Sequence, residues 1–302
     1  MCIRDSYSRV LRELGISYLL LKRPDFDKFA GAAYSIAFDA WNPDGRVNQV
    51  ATVHNLGKNF AKAYEIEFER RDGSRGLASQ TCYGFGYSRV LAAIIAQHGD
   101  DRGLVLPPIV APTQVVIIPI LFKGQEESIL AYSKEVFKKL EKKWRTVLDD
   151  SEDMTPGEKF YHWELMGVPV RIEIGPREVA ERSLTLTRRD TLERVKISVE
   201  ELEEKVEELM NSIAANLREK SERMMRQLIS DAGSPEEVKK ILDERRIARI
   251  EWCGDVECAE KLKGEAGGEI RGERYDIAER PRNPCIVCGR EAKKVVYVAR
   301  AY

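Results

Sequence analysis

The sequence predicts a multidomain protein of combined α/β and α+β class, and three observations lead there. Residues 34–80 run as alternating stretches separated by Asn-Pro-Asp-Gly and Asp-Gly turns, the pattern of an antiparallel meander. From residue 115 to residue 187 strand-like and helix-like stretches take turns, the pattern of an α/β layer with a mixed sheet. The last third opens with a long helical pattern and ends in a small segment carrying two short-spaced cysteine pairs. A length of 302 residues suits about two domains with real apolar cores. The formal net charge of −1 removes any global positive field, so contact with nucleic acid would need local basic surface. The most apolar stretches, 115–122 and 90–96, fall well short of the roughly 20 residues a bilayer requires. The opening residues, MCIRDSYSRV, hold no hydrophobic signal core, which makes the cytoplasm the expected location.

Taken in order, Tyr7 to Gly15 suggests a short helix and Ile16 to Leu21 a strand, followed by the turn-rich KRPDFDKFAGAA of residues 22–33. The meander strands are then Tyr34 to Trp41, Val47 to His54, Tyr64 to Glu69 and Gly76 to Gln80. Thr52 and His54 stand two apart on one strand and share a face, whereas Gln49 has the opposite parity and needs a bend or a strand edge to join them. A single strand histidine is more commonly structural than a ligand, and Phe29 alone reads as a core aromatic.

The stretch from Gln80 to His98, QTCYGFGYSRVLAAIIAQH, organises the first segment. A strand runs into a double glycine, and Val90, Leu91, Ile94 and Ile95 then recur at helical spacing, so Gly84 and Gly86 fall at a strand-to-helix junction with Arg89 in the first helical turn. Glycines let a backbone approach a flat or charged ligand, and an arginine adds a fork of donors for phosphate oxygens. The hexapeptide supplies the first two glycines of a dinucleotide fingerprint, but Arg89 occupies the third, where close helix packing demands glycine, and no long βαβ context precedes it.

GFGYSR resembles motif 3 of the class II aminoacyl-tRNA synthetases, and the flanking TCYG and HGDDRGLVLPPIVAPTQVVIIP (98–119) are similar to prolyl-tRNA synthetases of the archaeal and eukaryotic type. NQVATVHNLGKNFAKAYEI (48–66) resembles the family's stretch that faces ATP and proline. The resemblance implies Gln49, Thr52, Gly86 and Arg89 around ATP with Mg2+, Arg89 as the catalytic clamp, and Phe29, His54 and Cys82 around proline; an inert thiol is the other reading of Cys82. The activity implied is activation of L-proline by ATP to prolyl-adenylate and transfer to tRNA(Pro), in an enzyme that forms a homodimer when full-length. Motifs 1 and 2 of the family have no counterpart here. Residues 7–106 therefore resemble the second half of the class II antiparallel-sheet core, with low activity expected alone, and residues 1–6 match nothing in the family. The alternative is a non-catalytic tRNA-binding or regulatory paralogue, against which the set Arg89, Gln49, Thr52 and His54 speaks. A zinc-ribbon adaptor would leave residues 48–119 unexplained.

After a proline-bearing connector, residues 107–197 open with a buried-type strand at Val115 to Pro119 and an amphipathic helix at Glu126 to Lys143; a second helix is expected at Pro156 to Met166, with strands at Val168 to Ile174 and Ser183 to Thr187. HWELMGVPVRIEIGPREV and LTRRDT resemble the family's anticodon-binding domain, which makes Arg177, Arg188 and Arg189 candidates for RNA contact; solvated surface is the bland reading of each.

Residues 198–302 begin with a helix from Ser198 to Ile229, capped by Ser198 with Glu201 three residues on. Cys253 and Cys258, then Cys285 and Cys288, account for four of the six cysteines. In a reducing compartment such pairs read first as ligands of structural zinc, ahead of redox chemistry or bare thiols. Binding energies of roughly 10 to 16 kcal/mol in zinc-finger peptides imply a segment that depends on its metal to fold. The resemblance implies the same four-cysteine site in a small α/β domain. It also implies a terminal tyrosine, here Tyr302, that approaches the catalytic domain.

Overall fold

The computed structural model describes residues 2–302. Helix α1 (Cys2–Glu13) leads into strands β1 (Leu19–Lys22), β2 (Tyr34–Trp41) and β3 (Arg46–Gly57). The short α2 (Asn59–Ala63), β4 (Glu67–Glu69) and β5 (Arg75–Leu77) precede β6 (Gln80–Phe85) and α3 (Tyr87–His98). Next come β7 (Val115–Pro119), α4 (Glu126–Leu140), β8 (Thr146–Leu148), α5 (Pro156–Leu165), β9 (Val170–Ile174), α6 (Pro176–Glu181), β10 (Ser183–Arg188) and β11 (Arg194–Ser198). The last third holds α7 (Leu202–Leu228), β12 (Ile229–Asp231), α8 (Pro235–Asp243), β13 (Ile247–Trp252), α9 (Val256–Ala266), β14 (Glu269–Arg274) and β15 (Lys294–Ala301). Among the described residues no helix is long and apolar enough to cross a membrane.

The chain divides into two compact units. One gathers the residues up to Leu11, Ile16–Ala93 and Glu222–Tyr302; the other holds Arg12–Gly15 and Ile94–Ser221. The first unit is built on an eight-stranded sheet in the order β12-β13-β15-β14-β1-β2-β3-β6, and the end of β15 also pairs with β3. The early strands and the C-terminal strands thus share one sheet. Their junction depends on Gly272, whose φ is +138°; a Cβ there would sit 2.2 Å from the Lys22 carbonyl oxygen, so only glycine lets β14 lie this close to β1. Strand β2 is buried along nearly its whole length, which suits its run of Ile36, Ala37, Phe38 and Ala40.

Three sequence expectations are corrected here. The first helix does not start at Tyr7; it takes in residues 2–6 as well. The meander skips its expected third and fourth strands: β6 returns to pair with β3, and β4 with β5 form a separate hairpin. Residues 67–69, Glu-Phe-Glu, are all exposed and offer no apolar face with which to enter a layered sheet. Gly84 lies within β6, and Gly86 alone stands at the junction with α3.

The second unit carries a five-stranded sheet in the order β11-β10-β9-β7-β8, with β9, β7 and β8 parallel and the hairpin β10-β11 antiparallel. Val115, Ile117, Ile172, Ile174 and Leu186 bury one face against Ile129 and Val136 of α4 and against Leu202, Val206 and Ile213 of α7. The 3₁₀ turn leading into α7 starts at the expected Ser198–Glu201 capping box, and α5 starts at a second one formed by Thr155 and Glu158 with Pro156 behind the cap.

Candidate active site and metal centre

The register of three strands sets the first site. On β2 and β3, Ser35 stands opposite His54, Ala37 opposite Thr52 and Asp39 opposite Gln49. Residues 35, 37 and 39 share one face of β2, so Gln49, Thr52 and His54 share one face of β3. The parity conflict of Gln49 is removed by a bulge: Phe38 pairs with Ala51 and Asp39 with Gln49, leaving Val50 as the extra residue. On the other side, Cys82 stands opposite His54 and Gly84 opposite Thr52.

His54 is held from both ring nitrogens. Its Nδ1 lies 2.7 Å from the Ser35 hydroxyl and its Nε2 3.0 Å from the Thr52 hydroxyl. Burial keeps the ring below the usual histidine pKa, so these are contacts of a neutral imidazole with one donor and one acceptor nitrogen at pH 7. The Phe29 ring stacks obliquely on it at 4.8 Å between centroids, and the Phe29 amide donates to Ser35 Oγ at 3.0 Å. Ser35 therefore links the imidazole to the loop that carries Phe29. The sequence reading missed Ser35, although its alternation with Ala37 and Asp39 along an apolar strand was the available signal.

Arg89 sits in the first turn of α3 and is exposed. Its Nη1 donates to the Gln49 carbonyl at 3.0 Å, Asn48 Nδ2 donates to the Arg89 carbonyl at 3.3 Å, and the Gly86 amide donates to the Val50 carbonyl at 2.9 Å. A Cβ on Gly86 would come within 3.2 Å of Arg89 Cδ, so the glycine leaves room for the arginine stem to fold over the junction. The arrangement is an aromatic wall beside a neutral imidazole, a polar strand face, and a tethered guanidinium with most of its donors still turned to solvent.

In the same unit, Cys253, Cys258, Cys285 and Cys288 bring their sulfurs within 4.8 Å of one another, with Cys253 3.7 Å from Cys258 and 3.8 Å from Cys288. Four thiolates around zinc at the usual bond length stand about 3.8 Å apart, so the donor set and its spacing both fit. Three of the four are buried, and Arg290 donates from Nε to Cys288 Sγ at 3.3 Å, a neighbour that favours a thiolate.

The arginines expected to meet RNA fall in the second unit and differ from one another. Arg177, on α6, is exposed. Arg188 is engaged through all three nitrogens but lies nearer the surface, 12% exposed in its side chain: Nε and Nη2 donate to Asp190 at 2.8 and 2.7 Å, and Nη1 to Ser212 at 3.0 Å. Arg189 is 3% exposed, forks onto Asp100 at 2.8 and 2.6 Å, and donates from Nε to the Glu164 carbonyl at 2.9 Å. A guanidinium so engaged and so deeply buried braces the fold and presents little to a base or phosphate, which speaks against the expectation for Arg189. At the chain end, the Tyr302 hydroxyl donates to Asp44 at 2.7 Å, and Arg300 and Ala301 pair with Arg46 and Val47 of β3, the strand that carries Gln49, Thr52 and His54.

Comparison with known proteins agrees segment by segment. Residues 2–98 match the tRNA synthetase class II core domain (G, H, P, S and T), residues 114–209 an anticodon binding domain, and residues 235–302 the C-terminal domain of prolyl-tRNA synthetase. The core match includes Cys2 to Ser6, which the sequence reading had set apart. The proline–tRNA ligase of Ignicoccus hospitalis is 44% identical over 301 residues, 99% of this chain and 63% of that protein. That of Pyrococcus horikoshii is 43% identical over 302 residues, again 99% and 63%. A crystal structure of prolyl-tRNA synthetase from Cryptosporidium parvum complexed with L-proline and AMP superimposes with a TM-score of 0.93 at 33% identity, covering 99% of this chain and 63% of that one. The chain thus spans 63% of the length of these relatives. Three matched segments in the same order, within alignments that take in 99% of the chain at 43 and 44% identity, place the chain in the prolyl-tRNA synthetase family.

Proposed function

We propose that the chain supplies part of an ATP-dependent proline–tRNA ligase: half of the catalytic site, the anticodon-reading domain and a zinc-stabilised C-terminal module. The observation that carries this reading is the shared strand face on which Gln49, Thr52 and His54 meet Cys82, with Phe29 against the imidazole and Arg89 tethered at one end. In the reaction, a proline carboxylate oxygen attacks the α-phosphorus of ATP and pyrophosphate leaves; the tRNA 3′-terminal hydroxyl then attacks the prolyl carbonyl and AMP leaves. No side chain becomes covalently attached, so positioning and charge neutralisation must carry the catalysis. Phe29 offers an apolar wall to the pyrrolidine, and neutral His54, with both ring nitrogens held by Ser35 and Thr52, backs that wall without adding charge. Cys82 lies across from His54 on the same pocket. Gln49, Thr52 and the backbone at Gly86 line the ATP side, where Arg89 would meet the phosphates of ATP, whose charge Mg2+ would also help to neutralise. The four cysteines would hold Zn2+ and together supply the four ligands of a structural site, which assigns the metal to the fold and not to chemistry.

Arg177, and the outer part of Arg188, remain the candidates for tRNA contact. A cytoplasmic location and assembly of the full-length enzyme as a homodimer accompany this reading. The C. parvum relative, complexed with L-proline and AMP, supports the ligand classes. The test is binding of the zinc-loaded chain to tRNA(Pro) and to the same tRNA with altered anticodon bases, at stated salt, because phosphate contacts are salt-sensitive. Discrimination between the two is the expected result. Equal binding of both, or binding of neither, counts against an anticodon-reading domain.

A further inference from the structure

Phe29 occupies the loop between β1 and β2, and two contacts tie that loop to the C-terminal module, more than two hundred residues away in sequence. The first is aromatic. Phe26 sets its ring edge-on to Trp252 at 6.1 Å between centroids. Trp252 is 3% exposed, ends β13 immediately before Cys253, and packs in one cluster with Cys253, Cys258 and Cys285. The second contact is ionic. Arg23 pairs with Asp27 in the loop and donates from Nη1 to the Arg271 carbonyl of β14 at 2.9 Å. Arg271 Nε in turn donates to Asp39 Oδ2 at 2.8 Å, and Arg23 Nη1 lies 3.5 Å from the same oxygen. Asp39 is fully buried and its other oxygen has no partner among the described residues, so its charge rests on these two arginines. A buried carboxylate that loses such a partner is strongly disfavoured, which makes the triad a stiff joint. Asp39 also stands opposite Gln49, and Ser35 on the same strand holds both His54 and the Phe29 amide.

We propose that the C-terminal module positions the Phe29 loop of the site, with Trp252 acting through Phe26 and Arg271 acting through Asp39 and Arg23, so that filling the four-cysteine centre stiffens this loop. All of these are positioning residues, since each acts through another side chain, and Arg23, Asp39, Trp252 and Arg271 are themselves buried. The coupling follows from the packing. The metal ties together the segments that carry the four cysteines, and Trp252 precedes the first of them. Without the cross-link the platform under Phe26 loosens, and the loop is left to its internal bonds, the Ser35 contact and an ionic joint whose β14 side belongs to the same module. The functional value of the coupling rests on the reading of Phe29 as the proline wall.

Hydrogen exchange on the 302-residue chain reads the loop directly. Asp27 donates to the Pro24 carbonyl, Phe29 to Ser35 Oγ and Ala32 to the Phe29 carbonyl, giving three reporter amides. In the zinc-loaded chain, Phe26→Ala is expected to speed their exchange about three- to tenfold, the range of one edge-to-face pair, while β2–β3 amides stay protected. Arg271→Lys keeps the charge, loses the Nε geometry, and is expected to act in the same direction. Stripping zinc from the parent with a chelator should match or exceed either variant. In the Phe26→Ala, Arg271→Lys double variant, stripping should add nothing at these three amides. Unchanged loop exchange in both zinc-loaded single variants overturns the proposal, and so does a double variant that responds to stripping as fully as the parent. The exchange needs no proline, so it separates the joint from the assignment of the pocket: a loop that responds to zinc while added proline fails to protect Phe29 leaves the joint standing and removes the proline reading.

Discussion

Replacing Asp100 by Asn should destabilise the second unit while leaving no RNA contact to blame. Arg189 forks onto this carboxylate, and the pairing, with the Arg102 amide as a further donor, draws the Asp100 carboxyl from 3.8 down to about 2. A shift of that size corresponds to about 2 kcal/mol for a sheltered carboxylate. Asp100 is 38% exposed, and solvent screening reduces its share to about 1 kcal/mol. Arg189 is only 2% exposed in its side chain, so leaving its guanidinium without a counter-charge adds to the loss. The expected total is about 1 to 3 kcal/mol, a fall in Tm of about 3 to 10 °C for a unit of this size. Because the folded pKa lies below the unfolded one, the contribution is fully present above the unfolded value, near 4, and disappears as pH falls through about 2. Thermal unfolding of parent and variant from pH 7 to pH 2 checks this. The gap should be widest at neutral pH and close in acid. Equal melting at pH 7, or a gap that persists unchanged at pH 2, refutes the assignment of Arg189 as an internal brace.

Other outcomes follow from the same geometry. Cys285→Ser should abolish stoichiometric zinc, as metal analysis of the purified chain would show; full retention rules out the four-cysteine ligand set. Arg177→Ala should weaken tRNA binding modestly, with the salt slope falling by about 1, whereas a slope equal to the parent's removes Arg177 from the interface. The His54 imidazole should titrate below the ordinary histidine value in an NMR pH series, because burial disfavours its charged form; a midpoint at or above 6.5 contradicts the enclosed setting.

What the sequence made legible was local. The cysteine spacing named its own chemistry, since two tight pairs are enough to suggest a tetrahedral thiolate site. The turns at Asn42–Gly45 and Asp72–Gly73 placed β2, β3 and the hairpin, and the helix over Tyr87–His98 followed from its apolar spacing. What stayed hidden was non-local. The bulge at Val50 that turns Gln49 onto the site face leaves no trace in the pattern, because it depends on how β2 registers against β3. Arg189 looked like surface because its partner Asp100 lies 89 residues upstream. Arg271 was passed over for the same reason, with Asp39 232 residues before it. The sheet shared by β1 and β14 likewise escaped, because a strand pair of such separation is specified by Gly272 and by packing, not by either segment alone.

The strand face with Arg89 is proposed as the ATP and proline side of a proline–tRNA ligase. Proline-dependent exchange of pyrophosphate into ATP tests it, using this chain joined to the length of the Pyrococcus horikoshii relative that it does not match, with and without Arg89→Ala. One charge-assisted hydrogen bond to phosphate is worth about 1.5 to 3 kcal/mol, so exchange should fall about 10- to 150-fold in the variant. A folded chimera without proline-dependent exchange, or one that exchanges equally fast with Arg89→Ala, contradicts it.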